Sequence, residues 1–259
     1  MASNTAELSV ATMTAPEKRR FVHALFTRIA PQYDRFNRLA SLGLDQRWRR
    51  QAVERGHVGS GTRVLDVCAG TGDLSMVCAQ RVGPAGRVIG ADFNRPMLRG
   101  LISKATAANA PVSGLQADAL TLPFRDGAFD RVTIGFSTRN LADLAAGVRE
   151  MLRVLKPGGQ LIILETGRPA NPVVRWGYHF FLGTIVRVIG WLLTGCVWPF
   201  GYLARSVKGF LPPQEFVALL ERSGARGARG ARGARVRYVP LSFGLASLYL
   251  AVKPESAQG

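Results

Sequence analysis

The stretch VLDVCAGTGDL at positions 64–74 decides the fold. Val64, Leu65 and Val67 form a short apolar run interrupted only by Asp66, as in a buried strand, and an apolar helix start follows from Leu74 to Ala79. Between them, the corner Gly70-Thr71-Gly72 lets the backbone approach a ligand that any Cβ would push away, at the amino end of the coming helix. The dinucleotide fingerprint G-x-G-x-x-G asks for Gly or Ala where this chain has Ser75. Asp66 and Asp73 also place carboxylates where a dinucleotide would bring its pyrophosphate. A ligand with a sulfonium and an ammonium and no phosphate suits that charge, and S-adenosylmethionine is such a ligand. Read alone, the motif favours a methyl-donor site over a dehydrogenase.

Outward from the corner, strand-like and helix-like patterns alternate. Strands are expected at 63–67, 87–91 (ending at Asp92), 112–116, 129–136 and 160–165, with helices at 73–82, about 96–108 and 141–155, the last stopped by Pro157-Gly158-Gly159. Such alternation predicts a mostly parallel sheet with helices on both faces. A helix at 213–223 precedes strands near 235–239 and 245–252 with no helix between them, the pattern of an antiparallel hairpin. The fold class is therefore a Rossmann-like α/β domain with a seven-stranded sheet. The segment before Gly59, rich in Phe, Tyr, Arg and Trp, reads as helical and separate from the sheet. The expected organisation is a substrate-covering segment over 1–58, then a methyltransferase domain over 59–259 with an apolar helical insertion at about 170–210.

A chain of 259 residues can bury one sizeable core with a covering segment. Its net charge of +17, from 34 basic against 17 acidic residues, implies attraction to something anionic, a nucleic acid or a membrane surface. Part of the excess lies in GARGARGARGAR at 224–235, a basic loop for RNA or lipid on one reading and a tolerated loop expansion on the favoured one. Cys68, Cys78 and Cys196 lack metal-ligand spacing, so reduced thiols and a cytoplasmic location are expected and no metal site is assigned. The polar first residues carry no secretory pattern. FFLGTIVRVIGWLLTGCVWPF at 180–200 is long enough to test as a membrane span, but Arg187 and its glycines favour a buried or interfacial helix pair, with Trp176, Trp191 and Trp198 suited to an interface.

In a doubly wound sheet, ligands lie outside the carboxyl ends of the strands. Asp92 closes the second strand, where an acid accepts both ribose hydroxyls; the competing role, capping the next helix, is better served by Asn94. Asp118 closes the third strand, either accepting from the adenine amino group beside the Ala119 amide or capping a turn. Thr71 meets the cofactor or simply fits the corner. Arg139 and Asn140 follow the fourth strand, where they would hold an oxygen anion beside the methylated carbon. His23, His57 and His179 have no partner at recognisable spacing and read as structural.

Further motifs resemble the ubiquinone and menaquinone biosynthesis C-methyltransferases over about residues 26–253. Phe26, Ile29-Ala30, Tyr33-Asp34, Asn37, Ser41, Gly43 and Trp48 are similar to the family's amino-terminal signature; so are LPF at 122–124, FD at 129–130, RN at 139–140 and RVLKPGG at 153–159. VTIGF at 132–136 and LET followed by Pro169 look like the menaquinone branch. The resemblance implies S-adenosylmethionine at Thr71, Asp92, Asp118 and Ala119, to which the glycine corner adds Asp66, Gly70 and Gly72; Arg139, Asn140 and Tyr33 are the catalytic candidates, and Tyr202 and Phe136 those toward the substrate. Gly135, Ser137, Thr138, Phe200, Tyr249 and Ala251 depart from the family's usual residues. The implied reaction is C-methylation of a reduced polyprenyl quinol, demethylmenaquinol above others. The implied partners are that quinol, an anionic membrane touched peripherally at the inner face of the cell membrane, and a second copy of the chain; nucleic acid is not expected, because the basic repeat has no aromatic until Tyr238. The competing readings are a methyltransferase for another quinol, another lipid or an RNA base, and a cofactor-binding relative without catalysis.

Overall fold

The computed structural model describes residues 13–227 and 236–255. In chain order the amino-terminal helices are α1 (Ala15–Ile29), α2 (Tyr33–Ala40) and α3 (Leu44–Arg55). The sheet region follows as β1 (Arg63–Val67), α4 (Asp73–Val82), β2 (Arg87–Asp92), α5 (Arg95–Ala107), β3 (Val112–Gln116), β4 (Phe129–Gly135), α6 (Leu144–Val154) and β5 (Leu155–Thr166). Then come α7 (Pro172–Gly183), α8 (Ile185–Thr194), α9 (Trp198–Lys208), α10 (Pro213–Arg222), β6 (Arg237–Leu241) and β7 (Ala246–Val252). The strands form one seven-stranded sheet in the order β3-β2-β1-β4-β5-β7-β6. β1 to β5 pair in parallel, and β7 enters antiparallel between β5 and β6.

Alternation along the strands fills two cores. Leu65, Val67, Val132, Ile134, Leu161 and Ile163 face one side, packed with Met151, Phe216 and Tyr249. Val64, Val88, Ile162, Leu164 and Leu248 face the other, against Val77, Cys78 and Val82 of α4. Trp48, Ala52 and Val53 of α3 belong to this second core, which corrects the expectation that everything before Gly59 stands apart from the sheet. The reason is amphipathy: those residues share one stripe of a helix whose other positions, Leu44 apart, are charged or polar. A third core joins Val22, Leu25 and Ile29 of α1 and Phe36 of α2 to Leu182, Val186, Phe200 and Tyr202 of α7–α9.

Two other boundaries moved. Residues 138–140 form a 3-10 turn, so α6 starts later than expected, capped by Asp143, whose carboxylate accepts from the Ala146 amide at 2.9 Å. Pro157-Gly158-Gly159 does not precede β5 but lies inside it, where Phe129 faces Leu155 and Arg131 faces Gln160 across a bulge. The looped-out residues are satisfied from outside the parallel pair: the Gly158 amide donates to the Lys253 carbonyl at 3.0 Å, and the Lys253 amide to Gly159 at 2.9 Å.

The apolar run expected as a helix pair supplies α7's end, α8 and α9's start, with α7 and α8 meeting at Thr184. By length and hydropathy, Pro172–Thr194 also passes as a candidate span, with 17% of its apolar window buried. Its two helices pack instead on α9 and α2, and Arg187 is exposed.

Candidate active site

β1 ends in a corner that only unusual backbone permits. Cys68, Gly70 and Gly72 have φ of 53°, 57° and 84°, and a Cβ on Gly72 would fall 2.7 Å from Leu101 Cγ. Under this corner lies Asp66, 1% exposed. Its oxygens accept from Ser75 Oγ at 2.6 Å and Thr133 Oγ1 at 2.8 Å. Burial raises its carboxyl to about 6, against the pull of those two hydroxyls and of Arg49. Ser75, the residue that spoils the dinucleotide fingerprint, is thus the hydroxyl that orients Asp66.

Asp92 is buried at the end of β2, and its two oxygens accept from the amides of Gly70 and Asn94, both at 2.8 Å. Each oxygen keeps a second lone pair, enough for a pair of vicinal hydroxyls. Burial pushes its carboxyl up while those two amides pull it down. Asn94 does cap α5, accepting from the Met97 amide at 3.1 Å. Asp118 performs the turn role foreseen as its alternative, accepting from the Leu120 amide at 3.0 Å, and its other oxygen meets Arg19 of α1 at 2.9 Å. The structure nevertheless brings Asp66, Gly70, Thr71, Asp92, Asp118 and Ala119 around one cavity of ≈ 990 Å³ of open space, while Gly72 shapes the corner from behind. Adenosine, sulfonium and an amino-acid arm fit this lining: carboxylates for hydroxyls and cations, no phosphate cradle, and a glycine corner that leaves room.

A second cavity of ≈ 950 Å³ of open space lies between the amino-terminal helices and α7–α9, lined by Phe36, Trp48, Phe136, Phe181, Leu182 and Phe200 among others. The two cavities share Phe26, Tyr33, Arg49 and Asn140. Arg139 lines the second cavity and donates through Nη1 to the Phe136 carbonyl at 2.6 Å and to Glu165 at 2.5 Å. Tyr202 donates to Asn140 Oδ1 at 3.0 Å. Burial raises the Tyr33 and Tyr202 phenols, with the Arg139 charge opposing in both cases. Phe136, the residue after β4, has φ of 56°, and its ring lies 6.2 Å from that of Trp48 between centroids. Tyr33, Phe136, Arg139, Asn140 and Tyr202, the residues expected at the substrate end, therefore all line the second cavity, with Tyr33 and Asn140 at the junction.

Four participants escaped the sequence reading. Glu165, fully buried at the end of β5, holds Arg139 and also accepts from Thr138 Oγ1 at 2.6 Å. Asp34 accepts from Thr71 Oγ1 at 2.5 Å and pairs with Lys104 at 2.6 Å, tying α2 to the glycine corner and α5. Arg49 is enclosed between the two cavities. Asp34 and Glu165 each stood inside a quoted motif, Tyr33-Asp34 and LET, which was the available signal; Arg49 and Lys104 had none beyond being basic.

The departures fall into three groups. Gly135 and Ser137 line the cofactor cavity, and a Cβ on Gly135 would meet Leu74 Cδ2 at 3.2 Å. Phe200, Tyr249 and Ala251 are core residues: Phe200 meets Phe36 at a tilt, 4.5 Å between centroids, Tyr249 meets Phe216 edge-on at 4.8 Å, and Ala251 faces Leu161 in the sheet. Thr138 joins the Glu165 network. His23 packs edge-on against Phe93, in line with a structural role. Of the repeat, residues 228–235 lie outside the described residues; Arg226 pairs with Val252, and the Val236 amide donates to Glu221 at 3.1 Å.

The profile of the ubiE/COQ5 methyltransferase family matches residues 12–253. A demethylmenaquinone methyltransferase of Thermus thermophilus is 40% identical over 230 residues, covering 89% of this chain and all of its own length. A ubiquinone/menaquinone biosynthesis C-methyltransferase UbiE of Pseudomonas paraeruginosa is 36% identical over 242 residues, covering 92% of this chain and 91% of its own. Among solved structures, a SAM-dependent methyltransferase from Aquifex aeolicus superposes with a TM-score of 0.58 at 18% identity, over 79% of this chain and 88% of that one. The [4+2]-cyclase SpnF superposes at 0.53 with 19% identity, over 82% and 81%. A fold shared with a cyclase leaves the chemistry to the residues of the site.

Proposed function

The chain belongs to the ubiE/COQ5 methyltransferase family and is an S-adenosylmethionine-dependent C-methyltransferase; on that premise we propose that its acceptor is a reduced polyprenyl quinol, demethylmenaquinol, methylated to menaquinol. The supporting observation is the junction: a carboxylate-lined cavity and an apolar, aromatic-lined cavity share Phe26, Tyr33, Arg49 and Asn140.

Bound S-adenosylmethionine supplies an electrophilic methyl group, so the acceptor ring carbon must be electron-rich, as in a quinol whose phenol has lost its proton, and the hydrogen on that carbon leaves as a proton when the ring regains aromaticity. Arg139 stabilises that phenolate, directly or through a water that carries the proton. Its guanidinium only donates, and Glu165 and the Phe136 carbonyl fix it at the rim of the second cavity. Asn140, held by the Tyr202 hydroxyl, keeps its amide NH₂ for the ring's other oxygen. Tyr33 closes the junction from α2, and Phe136 and Trp48 pack the ring's face. Holding carbon and methyl in line is worth a large share of the rate.

Peripheral contact with an anionic bilayer belongs to the same proposal, because a polyprenyl substrate dissolves there. Trp176, Phe180, Trp191 and Leu192 of α7 and α8 are 72%, 55%, 53% and 69% exposed. From Thr166 to Gln214 the chain has no carboxylate, while Arg168, Arg175, Arg187, Arg205 and Lys208 are basic. An apolar face without acids suits anionic headgroups and acyl chains.

The decisive assay incubates the protein with S-adenosylmethionine and a panel of reduced demethylated quinols and reads methylated product by mass spectrometry. Turnover on demethylmenaquinol above demethylated benzoquinols is expected. Cofactor binding without turnover on any quinol would refute the proposal in favour of a non-catalytic relative.

A further inference from the structure

Arg49 is enclosed, with 8% of its side chain exposed, yet its Nε and Nη1 have no hydrogen-bond partner. The nearest carboxylates stand off. Nη1 is 3.7 Å from Asp45 and Nη2 is 4.0 Å from Asp73, both beyond hydrogen-bond range. Those acids have closer partners: Asp45 accepts from Ser41 Oγ at 2.9 Å, and Asp73 from Lys104 Nζ at 2.5 Å and Gln46 Nε2 at 3.1 Å. The guanidinium lies 5.2 Å over the Phe136 ring, which holds its plane without using its donors. Buried charged donors left unpaired carry a desolvation penalty, so an arginine kept in this state beside a cavity is arranged for an anion that arrives with a ligand.

We propose that Arg49 binds the α-carboxylate of the cofactor's methionyl arm. Arg49 lines the cofactor cavity along with Tyr33, Gly70, Thr71 and Asp73, and its Nη2 stands 4.0 Å from Asp73. Among the described residues that line this cavity, the other full cation is Arg19, which is paired with Asp118 at the end assigned to adenine. Lys104 is engaged by Asp34 and Asp73, and Arg139 by Glu165. With the carboxylate on Arg49, Asp92 assigned to the ribose and Asp118 paired with Arg19, Asp66 and Asp73 are the lining acids left for the arm's ammonium, so each charge of the zwitterion meets its opposite. A guanidinium presents two parallel donors to a carboxylate, which a backbone amide cannot do.

The inference rests on the S-adenosylmethionine reading and adds which residue reads which end of it. The test is calorimetric binding of S-adenosylmethionine and of its decarboxylated form, which lacks only the carboxylate, to the parent chain, Arg49→Met and Arg49→Lys. Arg49→Met should weaken S-adenosylmethionine roughly ten- to a hundredfold. It should leave the decarboxylated ligand within about twofold, since that ligand never made the contact. Arg49→Lys should lose less, again only for the carboxylated ligand, and serves if the Met variant does not fold. Equal weakening of both ligands would make Arg49 a packing residue and overturn the proposal. Unchanged S-adenosylmethionine affinity with lost turnover would assign it to the acceptor and overturn it as well. A parent chain that binds neither ligand would overturn the cofactor reading itself.

Discussion

Glu165→Gln tests the chemistry at the junction without touching either cavity wall. The parent carboxylate is fully buried and accepts from Arg139 Nη1 at 2.5 Å, Thr138 Oγ1 at 2.6 Å, and Thr166 N and Oγ1 at 2.8 and 3.1 Å. Glutamine has nearly the same shape. Its carbonyl can still accept from Arg139, and its NH₂ can face Thr138, whose hydroxyl is free to turn and accept. What is lost is the negative charge opposite a guanidinium that is 8% exposed. Breaking a buried pair from one side costs about 3–5 kcal/mol. Part should appear as a melting temperature lowered by on the order of 10 °C. The rest should appear as Arg139 moving toward water and away from the phenolate, a loss on the order of 10²–10³ in kcat. Glu165 lines neither cavity, so the dissociation constant for S-adenosylmethionine should stay within a few-fold. Single-turnover methylation of demethylmenaquinol, differential scanning calorimetry and a binding titration separate these effects. A folded variant with kcat within about threefold of the parent would refute the reasoning, because Arg139 would then work without its counter-charge.

Other expectations follow from the same geometry. Burial lifts the Asp66 carboxyl from 3.8 to about 6. Between those values the folded chain keeps a proton the unfolded chain has lost, so this group's contribution makes stability fall as pH rises through the window, and Asp66→Asn should flatten that slope. A cationic ligand favours the ionised form, so S-adenosylmethionine affinity should drop as pH falls below about 6, with proton release seen by calorimetry in buffers of different ionisation enthalpy; a flat dissociation constant through that range would remove Asp66 from the ligand's field. Replacing Trp176 and Trp191 together by Ser should weaken co-sedimentation with anionic vesicles about tenfold or more, while turnover of a short-tailed quinol persists; unchanged vesicle binding would move the membrane face elsewhere. Deleting residues 227–235 should leave melting temperature and turnover nearly intact if the repeat is loop expansion, since closure entropy varies slowly with length. Loss of turnover on a soluble quinol would give the repeat a role.

Local chemistry made much of this protein legible from sequence. The strand–glycine corner–helix unit is contiguous, and its period, its glycines and its acids all lie within eleven residues, so it announced both the parallel sheet and the ligand's charge. β1 and β3 and helix α4 occur at the expected positions because short apolar runs bounded by turn residues report their own burial. That Asp92, Asp118 and Arg139 line the cavities was legible for a related reason: in this architecture residues at or just beyond a strand's end are carried to the ligand's side of the sheet.

Pairings between distant parts of the chain were not legible. Pro157-Gly158-Gly159 reads as a stop, and only the arrival of Lys253 gives its backbone partners within a strand. The helices before Gly59 read as a separate cover, and only packing shows that α3 belongs to the sheet's core while α1 and α2 roof the site. Arg49 and Glu165 were anonymous for the same reason. One is a basic residue among several in α3, the other an acid at a strand end, and their roles come from burial: enclosure leaves one guanidinium without an anion and fastens another to a carboxylate. Periodicity and turn chemistry are properties of neighbouring residues, so sequence alone determined the layers, the mostly parallel character of the sheet and the type of ligand, while the order of the strands came from the fold. The charge balance at the junction depends on which side chains lose water together, and that was decided only when the chain folded.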